Sequence, residues 1–279
     1  MPDLTLPDGP LPIVDARTTI AVFGGVYSNH LALAATLEDA RALGARRFVC
    51  LGDLGGFGPR PDTVWPLLLE HRVEVLQGNY DHAIGNQLDD CGCGYTDPRD
   101  NHYARLSYAY TLAGTSDSFR AWQRTLPPVM REVWAGRVVR MAHGSPRHVS
   151  EFLWESTSPD AFLARMLDEE RADLLLVTHT GIPWRRTLAD GRMVINVGAI
   201  GRPPNDGTTL VDYTLVHVDP AATQPLTVEP RRVAYDHERL AREMEDERLP
   251  AEFVASIRTG WWTTCLEVLP PKERLRGRW

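Results

Sequence analysis

Asp53, Asn79, His143 and His179 each stand just past a short apolar run. They follow Arg47-Phe48-Val49-Cys50-Leu51, Val73-Glu74-Val75-Leu76, Arg137-Val138-Val139-Arg140-Met141 and Asp173-Leu174-Leu175-Leu176-Val177 respectively. One carboxylate, one amide oxygen and two imidazoles make a mixed oxygen and nitrogen donor set, which suits Mn²⁺, Fe²⁺ or Zn²⁺ better than Ca²⁺. Such an ion acidifies a water and acts as a Lewis acid. The glycines at 52, 78 and 144 let the backbone turn sharply beside three of the four. Gly-Asp and Gly-Asn are also ordinary turn pairs, so any one motif alone reads as a turn. Four in the same context read as a metal site.

The four apolar runs are strands, and further strands are expected over 19–23, 193–197 and 210–218. Helical patterns fall between them, over about 28–43, 63–70 and 159–171, with Ser28 or Asn29 as the first helix's cap and Gly44 just past its end. Alternating strands and helices imply a layered α/β domain, in which ligands gather beyond the carboxyl ends of the strands. Residues 1–219 form this domain, with a mostly helical insertion at about 87–126 that opens on a cysteine-bearing loop. Residues 220–279 form a C-terminal helical and aromatic extension packed on it, with a charged helix near 237–247 and then Trp261-Trp262.

The bulk properties narrow the function. A chain of 279 residues with 43% hydrophobic and 24% charged residues is an ordinary globular protein with room for a large core. A net charge of −7 argues against a broad nucleic-acid face but leaves room for a small phosphorylated substrate at a metal. No stretch reaches the ~18 to 20 apolar residues of a membrane span, and residues 1–14 do not read as a signal peptide. Four cysteines in a chain this long suggest thiols in a reducing compartment, so the cytoplasm is the expected location.

The motifs resemble a known family. Gly52-Asp53-Leu54-Gly55-Gly56-Phe57-Gly58-Pro59 is similar to the GD-x-x-G-x-G-P element of calcineurin-like metallophosphoesterases, particularly their small bacterial branch. Gly78-Asn79-Tyr80-Asp81 resembles the family's G-N-H-D, His143-Gly144-Ser145-Pro146 its H-G-S-P, and Thr178-His179-Thr180-Gly181-Ile182-Pro183 its G-H-T-H-x-P. Asn196-Val197-Gly198-Ala199-Ile200-Gly201-Arg202-Pro203 is similar to its N-P-G-S-V-G-x-P, so the resemblance spans residues 18–218 in the expected order. It implies a four-layer α/β/β/α sandwich and a metal-dependent phosphoric ester hydrolase. One divalent ion on Asp53, Asn79, His143 and His179 would activate a water against a phosphomonoester or phosphodiester.

The departures fall on one side of the site. The family's D-x-H is Gly25 and Tyr27 here, and the second His of G-H-x-H is Gly181, so the resemblance implies one intact metal position and one stripped of its ligands. The family's His at G-N-H-D, which helps protonate the leaving group, is Tyr80, a phenol with a reference pKa of ~10 and a poor general acid near neutral pH. Asp81, which orients that His in the family, is retained. Tyr27, His30 and the Cys91-x-Cys93 pair are possible replacement ligands. Against this, Tyr27 reads first as a ring filling vacated space, His30 as a surface or core histidine, and the cysteine pair as a glycine-rich loop. Arg202 is placed to grip a phosphate or to be a solvated loop charge. A catalytically lapsed protein of the same fold, acting as a binding or regulatory module, is the competing expectation.

Overall fold

The computed structural model describes residue 4 and residues 9–274. In chain order the strands are β1 (Ile13–Val14), β2 (Thr18–Phe23), β3 (Arg47–Cys50), β4 (Glu74–Val75), β5 (Val129–Trp134), β6 (Arg137–Ala142), β7 (Leu174–Val177), β8 (Trp184–Thr187), β9 (Met193–Asn196), β10 (Val211–Val218) and β11 (Leu226–Val233). The helices are α1 (His30–Ala42), α2 (Val64–Glu70), α3 (Asn79–Asn86), α4 (Pro98–Gly114), α5 (Asp117–Gln123), α6 (Asp160–Glu170), α7 (His237–Asp246), α8 (Ala251–Thr259) and α9 (Pro271–Arg274). Among the described residues no helix is long and apolar enough to cross a membrane.

Two mixed sheets stack face to face, one ordered β11-β10-β2-β3-β4 and the other β1-β5-β6-β7-β9-β8. The alternation of side chains along each strand builds the layers. On β2, Ile20 and Val22 point between the sheets, where they join Val49, Leu51, Val139, Met141, Leu174 and Leu176. Ala21 and Phe23 point the other way, into the layer formed with α1, α7 and α8 through Leu33, Leu37, Leu240 and Phe253. On the far face, Leu175 and Val177 of β7 pack under Leu163, Met166 and Leu167 of α6. The result is the expected sandwich of two sheets flanked by helices, and strands buried on both faces explain why these runs read as continuously apolar.

In β2-β3-β4 and in β6-β7-β9 the strands are parallel, so their carboxyl ends share one edge of each sheet. Helix α1 begins where Asn29 accepts a hydrogen bond from the Ala32 amide at 2.9 Å, which makes Asn29 rather than Ser28 the cap.

The sequence did not suggest β11. It pairs antiparallel with β10 over the full length from Val211↔Val233 to Val218↔Leu226, so the domain's own sheet continues past residue 219. Its exposed Thr227 and Pro230 and its half-buried Glu229 mask the strand pattern, and proline is tolerated because β11 is an edge.

Candidate metal centre

The strand-end loops of both sheets are bound to one another through their backbones. Gly25 N donates to Gly52 O at 3.0 Å, Thr178 N to His143 O at 2.8 Å, and Gly201 N to Gly25 O at 2.7 Å. Gly52 and Gly78 lie back to back, and a Cβ on Gly52 would sit 2.7 Å from the Gly78 Cα. Asp81 fastens this junction: its carboxylate accepts from Gly78 N at 2.8 Å, Asp53 N at 2.8 Å and Leu54 N at 3.0 Å. Two of the candidate ligands, Asp53 (φ 58°) and His179 (φ 63°), are held in the left-handed region. Non-glycine residues adopt it at a cost, and such strain concentrates at functional sites.

On this base the donors converge. His143 Nε2 lies 3.2 Å from Asp53 Oδ2 and 3.1 Å from His179 Nδ1, and one ligating atom from each of the three falls within 4.8 Å of the others. The other ring nitrogen of His143 lies 2.6 Å from the Leu51 carbonyl. A proton on Nδ1 satisfies that contact and leaves Nε2 as a lone-pair donor, the usual arrangement for a metal-binding histidine. Asp53 Oδ1 accepts from the Tyr80 amide at 3.0 Å, which fixes the carboxylate. Asn79 is the first residue of α3. Its Nδ2 donates to the Cys91 carbonyl at 2.9 Å, so Oδ1 is left over.

Two buried atoms among these residues have no hydrogen-bond partner: Asn79 Oδ1 and His179 Nε2. Asn79 Oδ1 can only accept, and an orphaned buried acceptor is costly, which fits a cation beside it; His179 turns its other nitrogen, Nδ1, toward His143. The residues fit a divalent metal. Electrostatics agree. Burial alone would raise the Asp53 pKa, but the facing His143 and His179 pull it below the usual carboxylate value. Burial would lower that of His143, and Asp53 outweighs it and holds it above the ordinary imidazole value. Burial and the charge of His143 push His179 down to about 3, so it is a neutral donor at physiological pH. Burial and the nearby Asp53 raise Asp81 to about 6, against the pull of its three amide bonds.

The other residues singled out from the sequence are placed differently. Tyr80 is buried, but its hydroxyl donates to Ser107 Oγ of α4 at 2.9 Å, and burial pushes its pKa well above the ordinary phenol value. Its one proton is therefore committed away from general acid work. Asp81 binds backbone amides rather than orienting the side chain at position 80. The Tyr27 ring lies over Gly25, where a Cβ would be 2.8 Å from Cζ, and burial raises its pKa strongly. The ring fills the space over Gly25.

His30 is not at the centre. Its Nε2 faces Glu243 of α7 at 3.6 Å, because the first turn of α1 turns its side chain toward that helix. Cys91 and Cys93 are joined in a disulfide, so neither is a thiolate ligand and the expectation of four thiols fails at this pair. A one-residue spacing brings the two sulfurs together across Gly92. Cys50 and Cys265 are free and buried.

A cavity of ≈ 60 Å³ opens on the cluster, lined by Asp53, His179, Tyr27, Tyr80, Cys93 and Arg202 and by residues the sequence gave no reason to select: Phe57, Tyr95, Tyr103, Ser107, Phe253 and Cys265. Ser107 receives both the Tyr80 hydroxyl and the Phe57 amide, the latter at 2.7 Å. A serine inside a helix carries no spacing signal for such a role.

Comparison with known proteins reaches the same architecture. No protein-family model matches the chain. An uncharacterized protein of Methanocaldococcus jannaschii, MJ0912, is 26% identical over 250 residues, which cover 84% of this chain and 95% of that one. The crystal structure of a metallophosphoesterase from Sphaerobacter thermophilus superposes with a TM-score of 0.67 at 24% identity, covering 88% of this chain and all of that one. That of the hypothetical protein PH1004 from Pyrococcus horikoshii gives a TM-score of 0.73 at 22% identity, with the same coverage.

Proposed function

We propose, taking as premise that this chain has the calcineurin-like metallophosphoesterase fold, that the protein is a metal-dependent hydrolase of a small phosphomonoester or phosphodiester. The observation that carries this reading is the convergence of Asp53, His143 and His179 donor atoms at a strand-end edge, with the unpartnered Oδ1 of Asn79 on the neighbouring loop. The mixed oxygen and nitrogen donors favour Mn²⁺, Fe²⁺ or Zn²⁺. When bound, a divalent ion supplies a Lewis acid for a phosphoryl oxygen and lowers the pKa of water beside it.

The chain's own residues do the rest. Asp81 and the Gly52–Gly78 contact hold the Asp53 and Asn79 loops in register, so the donors need no rearrangement. The Leu51 carbonyl fixes His143 with Nε2 toward the cluster. Tyr27 lines the cavity, where its hydroxyl is placed to donate to an oxygen of the substrate or leaving group. The centre is a one-ion centre. The Tyr27 ring occupies the space over Gly25, and a side chain at Gly181 would meet the Trp262 ring, with a Cβ there already at 3.4 Å.

The test is turnover with defined metal. Hydrolysis of p-nitrophenyl phosphate or its bis ester with added Mn²⁺ is expected, and Asn79→Ala or His143→Ala abolishes it. Stoichiometric metal binding with no turnover across a broad panel of phosphoesters would overturn the hydrolase reading.

A further inference from the structure

Arg202 is a buried cation with no ion-paired carboxylate among the described residues. It is 8% exposed, its Nε is buried with no partner, and among the described residues it has no ion pair or hydrogen bond. Arg140, the other buried arginine among the described residues, is 2.9 Å from Glu170, and the half-buried Arg47 meets both Glu74 and Glu132. What Arg202 has instead is aromatic surface. Its guanidinium carbon lies 3.4 Å from the centroid of the Trp262 ring and 5.1 Å from that of Phe57. Trp262 is itself fixed, donating from Nε1 to the Pro203 carbonyl at 2.6 Å and from its amide to Asn205 Oδ1 at 2.9 Å. The tryptophan thus clips onto the loop that carries the arginine.

Arg202 lines the same cavity as Asp53, His179 and Tyr27. Resting on the phosphoesterase reading, we infer that Arg202, held by Trp262, grips the phosphoryl oxygens of the substrate, so that the C-terminal segment completes the site. The Trp262 ring against the guanidinium leaves its N–H edge to make hydrogen bonds, and such an edge matches two oxygens of a phosphoryl group. Burying a charge is costly, and a stacking contact offsets only part of that cost, so an anion in the cavity supplies what is missing. Trp262 touches the guanidinium and not the cavity, which makes it a positioning residue.

The experiment uses the full chain loaded with Mn²⁺ and titrated with inorganic phosphate by calorimetry, with bound Mn²⁺ counted separately. Arg202→Gln raises the phosphate Kd by at least about tenfold while Mn²⁺ per chain stays unchanged. Trp262→Leu raises it by about threefold to thirtyfold, and Trp262→Phe, which keeps a ring under the arginine, returns it to within about twofold of the parent. If Trp262→Leu does not fold, Arg202→Gln and Trp262→Phe still decide the matter. A phosphate Kd within twofold of the parent in Arg202→Gln, with metal retained, overturns the inference and leaves the hydrolase reading standing. A parent protein that binds no Mn²⁺ sinks the hydrolase reading itself.

Discussion

Asp53, Asn79, His143 and His179 come from four strand ends, whereas the neighbouring wall of the cavity is assembled from Tyr27, Arg202 and the Trp262 ring beneath it, carried on three separate loops. The donor side is held by backbone: strand register, two residues in the left-handed region and three amides on Asp81. On the other side the Tyr27 backbone is tied to Asp53 O, but Arg202 is held by its stack on the Trp262 ring. Parallel strands in adjacent register deliver their next residues to a common edge with little freedom, so four short motifs suffice to build half a site. Ring stacking has no such periodicity and is set only once the chain is folded.

The sharpest way to separate the two sides is by metal affinity. His143→Ala removes a ligand and weakens Mn²⁺ binding by more than about a hundredfold in calorimetry, beyond what loss of a supporting partner costs. Tyr27→Phe leaves that affinity within about twofold. Equal losses in both would make Tyr27 a ligand and erase the distinction.

Stability gives the next largest contrast. Asp81→Ala leaves three buried amides without an acceptor and lowers unfolding free energy by about 3 kcal/mol in urea titrations. Tyr80→Phe loses one neutral hydrogen bond to Ser107 and lowers it by about 1 kcal/mol. That variant also keeps kcat within about twofold, and a large fall in kcat would restore Tyr80 as the acid.

The smallest effect is in pH dependence, and its sign differs between the two forms. In the metal-free protein His143 has a raised pKa and Asp53 a lowered one. Their pairing stabilises the fold above the unfolded carboxylate pKa of about 3.9 and is lost as pH rises through the raised value of His143, above about 6.5. A bound metal needs that imidazole deprotonated, so the added stability from Mn²⁺ grows over the same range. Thermal melts with and without Mn²⁺ between pH 5.5 and 8.5 are therefore expected to diverge with pH. Parallel curves would contradict the pairing.

What the sequence made legible follows the same division. Central strands such as β2, β3, β6 and β7 are apolar on both faces, so they were readable, and with them the placement of Asp53, His143 and His179. The edge strand β11 was not, because of its Pro230 and its charges. Asp81 was recognised, but as a partner of residue 80, because its three amide donors come from backbone that no motif displays. The roles of Ser107 and Trp262 depend on contacts across long sequence separations, Tyr80 to Ser107 and Trp262 to Pro203, that local patterns do not encode. The Cys91–Cys93 bond is not legible because four cysteines in a long chain read as thiols, and a C-x-C spacing by itself signals no bridge.

The most direct measurement is a crystal of the Zn²⁺-soaked protein with anomalous data collected on both sides of the zinc edge. A single peak per chain, about 2.0–2.2 Å from an oxygen of Asp53, Asn79 Oδ1 and one nitrogen each of His143 and His179, is the predicted result. A map with no peak at that edge, or with the zinc bound away from these four side chains, would contradict it.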